Sequence, residues 1–190
     1  VAIKLASSSP RRREILEALG LEFSIAPVDV DETPRAGEPA EEMVIRLAVA
    51  KAGMAAAIPG DVVIAADTAV VVDGRILGKP ADQEECLAML DALAGRCHKV
   101  FTGVALCRDA ALHTAISATD VYFREISRDE ALAYWQSGEP RDKAGAYAIQ
   151  GAGGAFVERI EGSYSGVVGL PVFETAALLR KAGFDLVTRR

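Results

Sequence analysis

The stretch DVVIAADTAVVVDGRILG, residues 61–78, constrains the fold most strongly. Its apolar, β-branched runs predict a pair of strands, and Asp73-Gly74 predicts the hairpin turn between them. Asp67 interrupts the apolar pattern, and a buried carboxylate is costly unless it is paired or binds a metal. Two interpretations stay open: Asp67 caps a bulge through the backbone, or it lies at a strand end facing a cleft as a general base or metal ligand. Thr68 would then point to the opposite face, or to a substrate if the chain bulges.

The rest of the chain alternates strands and helices. Apolar patterns predict strands at 3–7, 23–30, 98–107, 112–123, 155–160 and 184–187, and helices that begin at Pro10 and cover 40–58, 82–95, 127–138 and 171–182. Asp82 with Glu85, and Ser127 with Glu130, have the spacing of capping boxes. This alternation, together with antiparallel hairpins, predicts an α/β fold with a mixed twisted sheet and flanking helices.

Composition narrows the functional classes. The 190 residues suffice for one domain or two small lobes, and no apolar run reaches the roughly 18 residues of a membrane span. A net charge of −6, a pI of about 5.0 and 6% aromatic residues disfavour a nucleic-acid-binding surface. Three cysteines without a C-x-x-C pair, and no signal-peptide pattern, indicate a reducing compartment, and we expect a cytoplasmic protein without a membrane partner.

Three arginines occupy an unusual place. Ser9 and Pro10 predict a helix start, so Arg11, Arg12 and Arg13 fall in a first turn that normally attracts acidic residues. One interpretation is a solvated helix face with a small dipole penalty. The other is an anion site, in which free N–H groups of the helix start and arginine side chains bind phosphate.

Further charged residues fit the second interpretation when taken together. Lys51 falls on the apolar stripe of the helix over 40–58, with Val44, Leu47, Met54 and Ile58, although a lysine there can also snorkel to water. Lys79 and Glu32 lie on loops, where a charge is usually only solvated. If they converge, cations at 11, 12, 51 and 79 and carboxylates at 32 and 67 suit a polyphosphate with a divalent ion. With two histidines and no zinc pattern, that ion would be Mg²⁺ or Mn²⁺ held by oxygens.

Three ordered segments resemble the Maf family of nucleotide pyrophosphatases: LASSSPRRREIL, AADTAVVVDGRILGKP and DKAGAYAIQGAGGAFVERIEGSYSGVVGLPV. The resemblance covers essentially the whole chain. It implies hydrolysis of a nucleoside triphosphate to the monophosphate and pyrophosphate with a divalent metal. It also implies a single domain, 1–190, of two lobes around a cleft, similar to the inosine triphosphatase type, that often forms a homodimer.

The resemblance also assigns roles to residues. It implies that Asp67 is the general base, that Arg11, Thr68 and Gln150 discriminate substrates, and that Ser7, Arg12, Glu32, Lys51 and Lys79 line the pocket. Our hypothesis for the metal ion is that Glu32 or Asp67 binds it together with phosphate oxygens. DKAGAYAIQG resembles the branch that acts on dTTP and UTP. A glutamine amide matches the O4 and N3–H edge of uracil or thymine, but a flipped amide matches cytosine equally well. A loop-stabilising role for Gln150, a preference for 7-methyl-GTP, and a nucleotide-binding regulator of cell division are the alternatives.

Overall fold

The computed structural model describes residues 2–56, 60–109 and 111–186. In chain order the elements are β1 (Ile3–Leu5), α1 (Pro10–Ala18), β2 (Phe23–Ile25), α2 (Ala40–Ala55), β3 (Val62–Val72), β4 (Arg75–Leu77), α3 (Gln83–Leu93), β5 (Cys97–Arg108), β6 (Ala111–Phe123), α4 (Arg128–Gln136), β7 (Val157–Glu161), α5 (Tyr164–Val168) and α6 (Val172–Lys181). Short 3₁₀ turns cover Glu139–Asp142, Ala144–Ala146 and Ala152–Phe156. Over these ranges no helix is long and apolar enough to cross a membrane.

The strands form a mixed sheet. In the described ranges, seven strands have the order β2-β1-β3-β5-β6-β7, with β4 paired to β3. β1 is parallel to both β2 and β3, whereas the β3–β4 and β6–β7 pairs are antiparallel. Asp73, with a φ of 49°, and Gly74, with a φ of 72°, make the turn between β3 and β4, since glycine and aspartate tolerate this left-handed conformation. The mixed α/β prediction and the hairpin turn are confirmed.

The chain divides into two compact units. The first unit contains 1–67, 102–117 and 169–190, and the second contains 68–101 and 118–168. Strands β3, β5 and β6 therefore continue from one unit into the other.

In the first unit, β3 is covered on both faces. Val62, Ile64 and Ala66 share a core with α1 and α6, while Val63 and Ala65 pack with the alanines of α2. The two sets alternate because successive side chains of a strand point to opposite faces. Gly103 allows α2 to lie close to the sheet, since a Cβ there would be 2.7 Å from the Val44 carbonyl carbon.

In the second unit, helices α3 and α4 bury apolar side chains together with the β3–β4 hairpin. An aromatic group extends this core: Phe123 makes edge contacts with His98 and Tyr147, and Tyr134 makes one with Phe156. The Ser127–Glu130 capping box of α4 is present as predicted. At α3 the Asp82 side chain accepts from the Glu85 N–H, but Glu85 accepts from Ala81 instead of closing the box.

Several predicted boundaries were wrong. The predicted strand over 23–30 ends at Ile25, and the residues after Phe184 form no strand up to 186; Val187 lies outside the described residues. Val44, Leu47 and Lys51 of the predicted stripe on α2 are buried as expected, but Met54 is 60% exposed. Ile58, also assigned to that stripe, lies outside the described residues.

Candidate functional site

The first unit gathers loops at the carboxyl ends of parallel strands. Leu5 of β1 pairs with Ile64 of β3 and with Ile25 of β2, and the Ala6 N–H donates to the Ile64 carbonyl at 2.8 Å. The turn that leads into α1 and the acidic loop after β2 therefore leave the sheet side by side. Ligands in α/β sheets commonly bind at such carboxyl ends.

Asp67 lies in the middle of β3, so the strand-end position, one of the two interpretations of the sequence, is wrong. The strand alternation puts it on the same face as Val63 and Ala65, which is the face that α2 covers. Lys51 of α2 is 7% exposed and Asp67 is 8% exposed, and the Lys51 Nζ donates to Asp67 Oδ1 at 2.6 Å. Asp67 is therefore not a bulge cap, and Lys51 does not snorkel to water.

Glu32 completes an ion triad around the lysine. Its Oε1 lies 2.6 Å from the Lys51 Nζ, but its side chain is 53% exposed. The two carboxylates thus differ in environment: Asp67 is fixed within the sheet, whereas Glu32 reaches the same ammonium from a loop that faces solvent.

The three arginines of α1 have different surroundings. Arg12 turns inward: its Nε donates to the Gly169 carbonyl at 2.8 Å and its Nη1 to Ser7 Oγ at 3.3 Å. Arg13 is on the solvent side, in an i,i+4 pair with Glu17 in which both side chains are more than half exposed. Arg11 is half-buried beside Arg12. The solvated-face interpretation therefore holds for Arg13, and Arg12 is held in place by the backbone and by Ser7.

The helix start itself is not capped by a side chain. Ser9 has the extended backbone of an N-cap residue but makes no capping hydrogen bond in the structure, and α1 has no acidic residue in its first turn. The Ser7 hydroxyl instead accepts from the Ser9 N–H at 3.1 Å. The positive end of α1 is thus left without an acidic side chain of its own, as an anion site requires.

The charges in this region act on one another. Burial raises the pKa of Asp67, and the opposing charges of Lys51 and Arg12 do not cancel this effect. Burial likewise lowers the pKa of Arg12, while Asp67 opposes that change and Arg11 adds to it. A carboxyl whose pKa is above that of an ordinary aspartate suits a general base near neutral pH. Ser7, Arg12, Glu32, Lys51 and Asp67 are therefore brought together within the first unit.

Three predicted site residues belong to the second unit. Thr68 is half-buried on β3 directly after Asp67, and Lys79 is exposed after β4. Gln150 is exposed in the loop between two 3₁₀ turns. Sequence reasoning missed the Gly169 carbonyl that binds Arg12, because a backbone acceptor has no residue signature.

The carboxylates fit a hard divalent cation. Glu32 and Asp67 supply oxygen atoms, and Mg²⁺ in proteins is often bound by one or two carboxylates together with substrate phosphates. Across residues 2–56, 60–109 and 111–186 no group of three or more His, Cys, Asp or Glu side chains could hold a metal by itself. A cation here would need oxygens from a bound substrate or from water.

Comparison with known proteins defines the class of protein. The family model described as Maf-like protein matches residues 2–182. The chain belongs to the Maf family.

Individual relatives match almost end to end. The chain is 54% identical over 186 residues to the dTTP/UTP pyrophosphatase of Anaeromyxobacter dehalogenans (strain 2CP-C), a match that covers 96% of this chain and 94% of that protein. It is also 54% identical over 188 residues to the dTTP/UTP pyrophosphatase of Myxococcus xanthus (strain DK1622), covering 97% and 94% of the two chains.

Solved structures resemble the chain more weakly. The Staphylococcus aureus Ham1 protein aligns with a TM-score of 0.47 at 18% identity, covering 65% of this chain and 72% of that chain. A HAM1 protein from Coxiella burnetii aligns with a TM-score of 0.46 at 21% identity, covering 65% and 73%.

Proposed function

We propose that this chain hydrolyses dTTP and UTP to the nucleoside monophosphate and pyrophosphate. Membership of the Maf family supports the proposal, as do relatives at about half identity that are named dTTP/UTP pyrophosphatases. One structural observation gives the main support. Asp67 of the buried Lys51–Asp67 pair interacts electrostatically with Arg12, which lies in the first turn of α1, a helix whose start has no side-chain cap.

The positions of these residues suggest a role for each of them in the reaction. The N–H groups at the start of α1, with Arg11 and Arg12, bind the phosphate oxygens, because they combine positive charge with several donors. Asp67 accepts a proton from a water molecule as the water oxygen bonds to the α-phosphorus. The bond from the α-phosphorus to the bridging oxygen breaks, and pyrophosphate leaves with the electron pair.

A divalent cation is part of the proposal. Glu32 and Asp67 would hold it together with phosphate oxygens. When bound, such an ion neutralises charge on the phosphates. Lys51 keeps the two carboxylates close to each other, since both contact its ammonium.

The test of Asp67 is pyrophosphate release from UTP by the Asp67→Asn variant. We expect the variant to fold and to lose most of its turnover, because an amide cannot accept the proton. Asp61→Asn is the matched control, since Asp61 is also a carboxylate paired to a lysine in the first unit, at 2.8 Å from the Lys4 Nζ. Near-normal turnover by Asp67→Asn would overturn the role of Asp67.

The pH profile provides a second readout. Burial raises the pKa of Asp67, so the base form is lost at a higher pH than for an ordinary aspartate, whose pKa is about 3.9. We therefore expect the acidic limb of kcat/KM, which reports groups of the free protein, to lie above that value.

A further inference from the structure

Two side chains, those of Tyr134 and Glu139, accept hydrogen bonds from the backbone of the loop that carries Gln150. Tyr134 is a buried residue of α4, and Glu139 opens the 3₁₀ turn that follows. The Tyr134 hydroxyl donates to Glu139 Oε1 at 2.7 Å. We call these two residues the Tyr–Glu clamp.

The clamp binds the backbone on both sides of Gln150. Before it, the Ala148 N–H donates to the Tyr134 hydroxyl at 3.1 Å. After it, the Ala152 N–H donates to Glu139 Oε2 and the Gly153 N–H to Glu139 Oε1, each at 3.0 Å. Three backbone N–H groups within six residues are therefore satisfied by two side chains, and Gln150 lies between them.

The electrostatics favour these hydrogen bonds. Burial works to raise the pKa of Glu139, but the hydrogen bonds from Tyr134, Gly153 and Ala152 together outweigh it and lower that pKa. Burial and the neighbouring carboxylate raise the pKa of Tyr134, so the phenol keeps the proton that it donates. Hydrogen bonds to an ionised acceptor are stronger than neutral ones, which makes the loop backbone rigid.

The glycines of the loop fit the clamp. A Cβ on Gly151 would collide with the Glu139 carboxylate, and a Cβ on Gly153 would lie 2.5 Å from the Tyr134 hydroxyl oxygen. Close approach of the backbone to both side chains thus requires glycine at these two positions.

We propose that Tyr134 and Glu139 are positioning residues that set the base specificity of the enzyme by fixing the loop on both sides of Gln150. The inference rests on the proposed function, and on the reading of the O4 and N3–H edge of the base by the Gln150 amide, which the family resemblance implies. An amide can match uracil or cytosine by flipping, so its preference depends on a fixed backbone that holds it in one orientation. Neither clamp residue needs to touch the nucleotide.

The experiment compares kcat/KM for UTP and CTP in the wild-type protein and in Glu139→Gln. The glutamine has the same shape, but its NH₂ group must face a loop N–H, so one hydrogen bond to the backbone is lost. We expect the UTP-to-CTP ratio to fall about tenfold, the effect of losing one charge-assisted hydrogen bond. Glu130→Gln is the control, because Glu130 accepts from Arg124 and from the Ser127 N–H in the same unit but does not touch the loop.

A second variant separates positioning from folding. Tyr134→Phe keeps the aromatic edge contact with Phe156 and removes only the hydroxyl. It should also lower the ratio, and the double variant should lower it by less than the product of the two single effects, because Tyr134 and Glu139 share one hydrogen bond. The urea midpoint of each single variant shows whether it is folded. If both are folded and both keep the wild-type UTP-to-CTP ratio, the inference is overturned.

Failure of the proposed function has a different signature. A wild-type protein that releases no pyrophosphate from either nucleotide contradicts the pyrophosphatase proposal itself. A wild-type protein that hydrolyses UTP and CTP equally well is still a pyrophosphatase. That result contradicts the recognition of the base by Gln150, and with it the inference about Tyr134 and Glu139.

Discussion

Replacement of Lys51 by methionine tests the buried ion pair. The two side chains are 9% and 12% exposed, so Lys51→Met leaves the Asp67 carboxylate buried without its counter-ion. Breaking a buried pair on one side typically costs about 3–5 kcal/mol of unfolding free energy. Glu32 adds little to this loss, because its side chain is half exposed and water solvates it after the lysine is gone. We expect the full loss of unfolding free energy only at a pH at which Asp67 is ionised.

The assay is urea unfolding at about pH 8 and about pH 5. Loss of the ammonium raises the pKa of Asp67 further, so at the lower pH the carboxyl takes up a proton and the deficit shrinks. The control is Lys99→Met, which removes a lysine paired to Asp120 on the exposed surface, where ion pairs contribute little. A Lys51→Met variant that is as stable as the wild type, or equally destabilised at both pH values, would refute the reasoning.

Three further outcomes are expected. Gln150→Ala should lower the ratio of UTP to CTP turnover while pyrophosphate release continues, and an unchanged ratio would show that Gln150 does not read the base. Burial lowers the pKa of His98 from 6.5 to about 4. As the pH falls between these two values, the histidine of the unfolded chain is protonated while that of the folded protein is not. The wild type should therefore lose about 3 kcal/mol of unfolding free energy over this pH range. His98→Gln, which does not titrate and can keep a hydrogen bond to Tyr147, should remove most of this pH dependence in urea unfolding, and an identical pH dependence would contradict the assignment. Gly103→Ala should lower the free energy of unfolding by about 1–3 kcal/mol in urea unfolding, since the new methyl group meets the Val44 backbone, and an unchanged free energy would show that α2 can move away.

Local rules predicted the elements of the fold well. The Asp73-Gly74 turn, the helix start at Pro10 and the capping box at Ser127 each depend on residues that are close in sequence. The ends of elements were less predictable. β2 stops at Ile25 because its neighbour β1 is only three residues long and offers no further partner, which the apolar pattern of β2 does not reveal.

The candidate site was only partly predictable. The cost of an unpaired buried charge singled out both Asp67 and Lys51, yet their pairing depends on the face of β3 that α2 covers. That choice follows from the packing of alanines on α2 against the sheet. The clamp at Tyr134 and Glu139 was not foreseen, because its function is visible only through backbone N–H groups that every residue carries. Its sequence signal is the set of closely spaced glycines after Gln150.

The most direct test is a nucleotide panel with the purified protein and magnesium: dTTP, UTP, CTP, GTP, 7-methyl-GTP and ITP, with pyrophosphate and orthophosphate assayed separately. We predict pyrophosphate, not orthophosphate, released mainly from dTTP and UTP. Pyrophosphate mainly from 7-methyl-GTP would keep the reaction and contradict the substrate assignment. Nucleotide binding without release of either product would contradict the enzymatic account and leave a nucleotide-binding regulator in its place.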